Sequence, residues 1–183
     1  GSWNVSYLVR THGLPLQQAG AIAGLAGGTG AIFGTLFAGW LCKRLTVRDA
    51  AWQLRVPAIG LIVSLVVGVV YCLLPAGTKV PWVASLSLAF SFFAPWWTAQ
   101  TFTAIANLVA PAERALASSL MVLAFTLLGG GLGPVFTGTL SDVLAPHLGV
   151  DALRQALAVT VGASAIPAIL YFIAAPRYRA AVA

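Results

Sequence analysis

Charge along this chain is confined to short intervals, and what lies between is long and apolar. His12 aside, no formally charged side chain falls in residues 11–42, 56–78, 80–112, 115–141 or 155–176. Each interval reaches the roughly 20 residues a helix needs to cross about 30 Å of hydrocarbon. An Arg or Lys at the centre of such a span costs about 2.5–3.5 kcal/mol, which explains why charge collects at the interval ends. The pattern predicts five membrane-spanning helices, near 17–41, 56–74, 83–109, 115–140 and 154–174. A sixth apolar and aromatic piece, residues 3–9, is too short to cross and reads as the tail of a helix. A chain that begins inside a helix is expected to be a fragment.

Composition supports this class. Of 183 residues, 60% are hydrophobic and 8% charged, with a mean hydropathy of +0.93. A soluble domain is about a quarter charged, so too few polar side chains are present to wet a globule's surface. The net charge of +6 points to no nucleic-acid partner, because that reading needs a basic face on a soluble domain. The basic residues instead alternate by loop. Lys43, Arg44, Arg48, Arg55, Arg114, Arg177 and Arg179 gather on one side, and Arg10, Lys79 and Arg154 on the other. The positive-inside rule makes the first side cytoplasmic and puts the C-terminus there. The expected location is a cell membrane crossed several times, that of a bacterial inner membrane. Cys42 and Cys72 bracket one predicted span, too far apart for a bridge that needs Cα atoms within about 7 Å, so two free thiols are expected.

Three stretches carry chemistry. In the first full span, Gly20, Gly24 and Gly28, and again Gly30 and Gly34, recur at four-residue spacing. Small residues so spaced let helix backbones approach closely, for fixed packing or for a rocking surface. In "TLLGGGLGPVFTG", residues 126–138, Gly130, Gly133 and Pro134 loosen the helix and are hinge candidates. Its near match to G-x-G-x-x-G is not a nucleotide fingerprint, since neither a preceding strand nor a βαβ unit is predicted. In the third full span, Trp96, Gln100, Thr103 and Asn107 fall at i, i+4, i+7 and i+11, one helical face, just after Pro95, a candidate bend. Trp97 and Thr101 lie beside that face, and Thr126 opens the glycine-rich stretch. Polar groups in hydrocarbon need partners, so these seven are candidates for a substrate-cavity wall; interhelical hydrogen bonding is the competing reading. The four acids, Asp49, Glu113, Asp142 and Asp151, all sit at span ends or in loops. No acid-base pair or metal-ligand set is expected at membrane depth, no cofactor is implied, and an intramembrane enzyme is disfavoured.

These pieces resemble the C-terminal half of a major facilitator transporter, and within that superfamily the Spinster-like family. "GWLCKRLTVRD" is similar to the signature loop G-x-L-A-D-R-x-G-R-R, matching at Gly39, Leu41, Arg44 and Arg48. Lys43 replaces its Asp, Thr46 its Gly and Val47 its first closing Arg, so the acid that joins a cytoplasmic charge network is absent from that position. "RDAAWQLRVPAIG", "PAERALAS" with Arg114, "GLGPVFTGTLSD" and "ALRQAL" resemble Spinster runs in the same order. The resemblance implies an all-α integral membrane fold, the C-terminal six-helix half (helices 7–12) of a 3+3 inverted repeat, with helix 7 only partly present. It implies that helices 7, 8, 10 and 11 face a central cavity while 9 and 12 pack outside. It also implies alternating access against an N-terminal six-helix half, in contact with membrane lipid. The implied cargo is an amphipathic lipid-like molecule of the lysophospholipid or sphingosine-1-phosphate class; the alternative is efflux of other hydrophobic organic solutes or drugs. The proton is the candidate coupling ion, and its carboxylate, like a phosphate-pairing Arg, is expected from the other half.

Overall fold

Proline and glycine decide where the helices stop. The computed structural model describes residues 4–75 and 77–182, the side chain of Val150 excepted; Trp3, first residue of the predicted tail, lies outside them. Helix α1 (Asn4–His12) ends at Gly13, whose φ of +64° only glycine adopts at little cost and whose N–H reaches the Val9 carbonyl at 3.1 Å. Pro15, extended at φ −55° and ψ 142°, starts a rod of α2 (Leu16–Ala21), a π-helical turn (Ile22–Ala26) and α3 (Gly27–Thr46). Asp49 Oδ1 accepts the Ala51 N–H at 2.9 Å and so starts α4 (Trp52–Cys72).

The next rod is broken. Helices α5 (Val80–Phe93) and α6 (Trp96–Leu108) meet at Ala94 and Pro95. Proline has no N–H for the Ser91 carbonyl, and its ring crowds that carbonyl, so the bend expected at Pro95 is present. A short 3₁₀ turn (Pro111–Glu113) leads into α7 (Arg114–Ala124), a π-helical turn (Phe125–Leu132) and α8 (Gly133–Leu148). The glycine-rich stretch is therefore a widened helix rather than an interruption. Helix α8 runs on past Ser141, which charge had assigned to a loop, until Gly149 turns to φ +53°. Charge marks the edge of the membrane, whereas a helix stops only where the backbone is broken. The last rod, α9 (Ala152–Gly162) and α10 (Ala165–Val182), bends at Ala163 and Ser164, where Pro167 cannot donate to the Ala163 carbonyl.

Among the described residues there is no strand, and four continuous stretches are long and apolar enough to cross a membrane: Leu16–Thr46, Trp52–Cys72, Pro111–Leu148 and Ala152–Val182. The α5–α6 rod is the remaining predicted span, the third along the chain, broken by its bend. Large apolar side chains such as Leu25, Phe33, Leu128 and Ile169 lie on the outside, as suits a multi-pass integral membrane protein.

Helix α4 is the hub, packed against α3, α5, α6, α9 and α10. Each buried cluster includes residues of α4: Tyr71 and Cys72 at one end, Val56 within, and Leu54 towards the other end. Lipid tails are as apolar as leucine, so helices associate here through close approach rather than hydrophobic drive. A Cβ at Gly30 would lie 2.7 Å from the Leu88 carbonyl oxygen, and one at Gly34 would collide with that of Phe92. Gly60 makes room for Trp96, and Gly68 for Phe90. The second glycine seam is therefore packed against α5. Gly20, Gly24 and Gly28 have no such neighbours among the described residues.

Gly34→Ala is expected to force α3 off α5, costing about 1–3 kcal/mol as overpacking does, and to lower the melting temperature of the full-length protein in detergent. Gly39→Ala, with open space at its Cβ, is the control and leaves it unchanged. Equal melting temperatures for the two variants would contradict the α3–α5 contact.

Candidate functional site

The bends converge on one cavity. Its volume is about 700 Å³, and α1, α3, α5, α6, α8 and α9 surround it with α4 at the back. Pro95, Trp97 and Thr98 come from the bent rod, Gly133, Pro134 and Thr137 from the start of α8. Ser91, Thr160, Asn4 and Tyr7 add neutral polar groups, and no ionised side chain lines it. Thr137 and Thr160 hydroxyls join α8 to α9 at 3.0 Å. The Trp97 ring stands edge-to-face on Phe125, centroids 4.8 Å apart, tying α6 to the π-helical turn.

The polar face predicted on the third span is divided in the structure. Trp96 and Gln100 are 4% and 3% exposed, turned into the packing rather than towards the cavity. Trp96 sits on α4, 2.5 Å from the place of a Gly60 Cβ, among Phe37, Phe92 and Phe93. Gln53 Nε2 donates to the Gln100 carbonyl at 2.9 Å, and Gln53 Oε1 accepts Cys42 Sγ–H at 3.4 Å, so one amide links α3, α4 and α6. Trp96 and Gln100 are corrected from cavity wall to core: periodicity identified an inward stripe, but not which neighbour fills it.

The other candidates scatter. Trp97, about 100° round the helix from Trp96, is the residue that walls the cavity. Thr101, one turn further along α6, bonds to Tyr171 of α10. Thr103 is exposed, its hydroxyl donating to the Ala99 carbonyl at 2.9 Å. Asn107 Nδ2 donates to the Tyr178 hydroxyl at 3.0 Å, near the arginine-rich end. Thr126 and Gly130 lie exposed in the π-helical turn. Thr101, Thr103, Asn107 and Thr126 thus do not share one wall with Trp97. Gly39 and Arg48 are exposed, Arg44 stacks 4.7 Å from the Trp40 ring, and Arg114 lines a separate polar cavity.

Sequence reasoning missed the tyrosines at the end away from the arginine-rich loop. Tyr7 donates its hydroxyl to the Tyr71 carbonyl at 2.7 Å, and Tyr71 donates its own to Asn4 Oδ1 at 2.7 Å, locking α1 onto α4. Because the Tyr7 proton is committed to a carbonyl, the 3.1 Å contact from His12 places the imidazole proton on Nε2. His12 Nδ1 is then a buried acceptor without a partner. Burial first, and the Arg154 charge second, push the His12 pKa below its ordinary 6.5. Their only signal was tyrosine at two helix ends. At the opposite end, Asp49 pairs with Arg55 at 3.2 Å and with Arg179 at 3.9 Å.

Cysteines placed at Trp97 and Thr98 in the full-length protein are expected to react with a water-borne thiol reagent, while one at Gln100 stays silent; the reverse pattern would restore the original face as cavity wall. A depressed histidine pKa contributes stability that is complete above about 6.5 and is lost as pH falls through the folded value. Amide exchange in α1 should therefore accelerate on acidification below that pH, and His12→Gln should remove the dependence. Exchange indifferent to pH in the unaltered protein would show that His12 does not hold α1.

No protein-family model matches the chain. It is 36% identical over 185 aligned residues to an MFS-type efflux pump of Mycolicibacterium smegmatis, covering 97% of this chain and 41% of that protein. The fold is shared with a bacterial homologue of the human lysosomal transporter Spinster. In its inward-facing, occupied conformation the identity is 27% and the TM-score 0.77, over 96% of this chain and 44% of that one. In the inward-facing, unoccupied conformation the values are 24% and 0.81, over 98% and 44%. The chain thus spans under half the length of the relatives it matches. Over nearly its whole length the chain is similar to part of an MFS-type efflux pump, and its fold is that of one half of the Spinster homologue.

Proposed function

We propose that the chain is one moving half of a secondary transporter whose cargo is amphipathic and lipid-like, of the lysophospholipid or sphingosine-1-phosphate class. The observation that carries this reading is the uncharged cavity of about 700 Å³ walled by bent and widened helices. An apolar body fits against Trp97, Pro95 and the helix backbones at Gly27 and Gly133, and the hydroxyls of Thr98, Thr137 and Ser91 suit the neutral polar part of such a molecule. A phosphate head needs a cation that this cavity does not supply, so an arginine from an N-terminal half completes the site. The same holds for coupling: a proton-carrying carboxylate would come from that half, since the cavity lining has none.

The movement proposed is rocking of this half against the other, with the Arg-rich end, including the C-terminus, on the cytoplasmic side. The π-helical turns and the Pro95 bend sit beside the cavity, where a helix loses regular hydrogen bonds and shifts at least cost. The glycine face of Gly20, Gly24 and Gly28 offers a smooth surface for the partner half. The efflux-pump description of the Mycolicibacterium relative favours a second reading, in which the cargo is another hydrophobic organic solute.

Full-length protein in liposomes is expected to move a fluorescent lysophospholipid, and Trp97→Ala to slow it about two- to tenfold, the worth of one aromatic contact. Movement of a hydrophobic dye but not of the lysophospholipid would decide for the second reading. If Trp97→Ala moves both at the unaltered rate, the cavity is not the route.

A further inference from the structure

Away from the central cavity, two further hollows share a wall at the arginine-rich end. The first is an apolar groove of about 550 Å³ between α6 and α10, floored by Leu54 and Ala104 and flanked by Ile105, Leu170 and Ala174, with Arg177 towards one end. The second, about 460 Å³, is polar and contains Thr46, Asn107 and Arg114. Tyr178 lines both, held by the hydrogen bond from Asn107. Neither Arg114 nor Arg177 forms an ion pair among the described residues, and Asp49 pairs instead with Arg55 and Arg179. From Pro167 to Ala181 the groove follows α10 for about 21 Å of helix axis. One leaflet's hydrocarbon is about 15 Å deep.

We propose that this pair of hollows is a binding site for an anionic phospholipid of the adjacent leaflet. One acyl chain lies in the groove between α6 and α10, and the phosphate sits beside Tyr178 between Arg177 and Arg114. Charge complementarity and length together select this occupant. A free phosphate leaves the apolar groove unfilled, and a zwitterionic lipid places an ammonium group among arginines. The groove shares no lining residue with the central cavity and meets α6 one to three turns further along than Trp97, so it is a lipid anchor beside the moving helices rather than a stretch of the transport route. It ties α10 to the bent rod, and its occupancy would bias how freely that rod moves. The inference rests on membrane placement and on this geometry, and holds for either cargo.

Native mass spectrometry of the full-length protein, delipidated and then supplied with phosphatidylglycerol or with phosphatidylcholine of the same chains, reads the site directly. Phosphatidylglycerol is expected to be retained more tightly, and Arg177→Gln and Arg114→Gln each to weaken it roughly fivefold while leaving phosphatidylcholine unchanged. Ala174→Phe fills the groove and should lower retention of both lipids. Lys79→Gln, at the other end of the molecule, should alter neither. Unchanged phosphatidylglycerol retention in both arginine variants, with melting temperatures matching the unaltered protein, would overturn the proposal. So would displacement of the lipid by excess inorganic phosphate alone, which would assign the head site to the free ion.

Discussion

The seat of Trp96 against Gly60 is the contact on which the rest of the arrangement depends. Gly60 leaves a gap in α4, the indole fills it, and three phenylalanines from α3 and α5 close round the ring. The contact lies one residue after Pro95, so it fixes the direction in which α6 leaves the bend. Helix α6 is then turned so that Trp97 and Thr98 point to the open side, and Gln100 meets Gln53 behind. In lipid no hydrophobic drive holds helices together, and a glycine gap filled by an aromatic ring supplies dispersion contacts instead.

The polar groups follow a related economy. Hydrocarbon offers them no hydrogen bonds, and most hydroxyls within the spans solve this on their own helix. Thr29, Thr35, Thr103 and Thr139 each donate to a carbonyl one turn back. Fewer reach across: Gln53 to Gln100, Thr137 to Thr160, Tyr7 to Tyr71 and Tyr71 to Asn4, and, towards α10, Thr101 to Tyr171 and Asn107 to Tyr178. The first four join helices that border the cavity, so the groups that could bind cargo and those that hold its walls are close relatives. This is why residue type alone separated them poorly.

The two ends of the molecule are held by different forces. At one end, neutral tyrosine hydrogen bonds fasten α1 to α4, beside an Arg154–Asp151 pair at 3.5 Å. At the other, Asp49 gathers Arg55 and Arg179 and starts α4 as well, so one carboxylate joins the loop, the hub helix and the tail. Half-exposed ion pairs of this kind contribute little stability. Their value is positional, since they hold the arginine-rich loop where Arg114 and Arg177 remain unpaired among the described residues.

The sequence by itself determined the class and the bend at Pro95, because those follow from local rules: charge is expelled from hydrocarbon, and proline lacks a donor. It also marked Gly30 and Gly34 as a close-approach seam. It could not say that Trp96 and Gln100 face α4 while Trp97 faces the cavity. One helical stripe looks inward whichever neighbour lies there, and a step of about 100° round the axis decides between core and wall. Nor did it reveal Gln53, Tyr7 or Tyr71, whose roles depend on partners 47 to 67 residues away. Only the packed structure decides those, since two side chains distant along the chain acquire a common function only when the helices bring them within hydrogen-bonding reach.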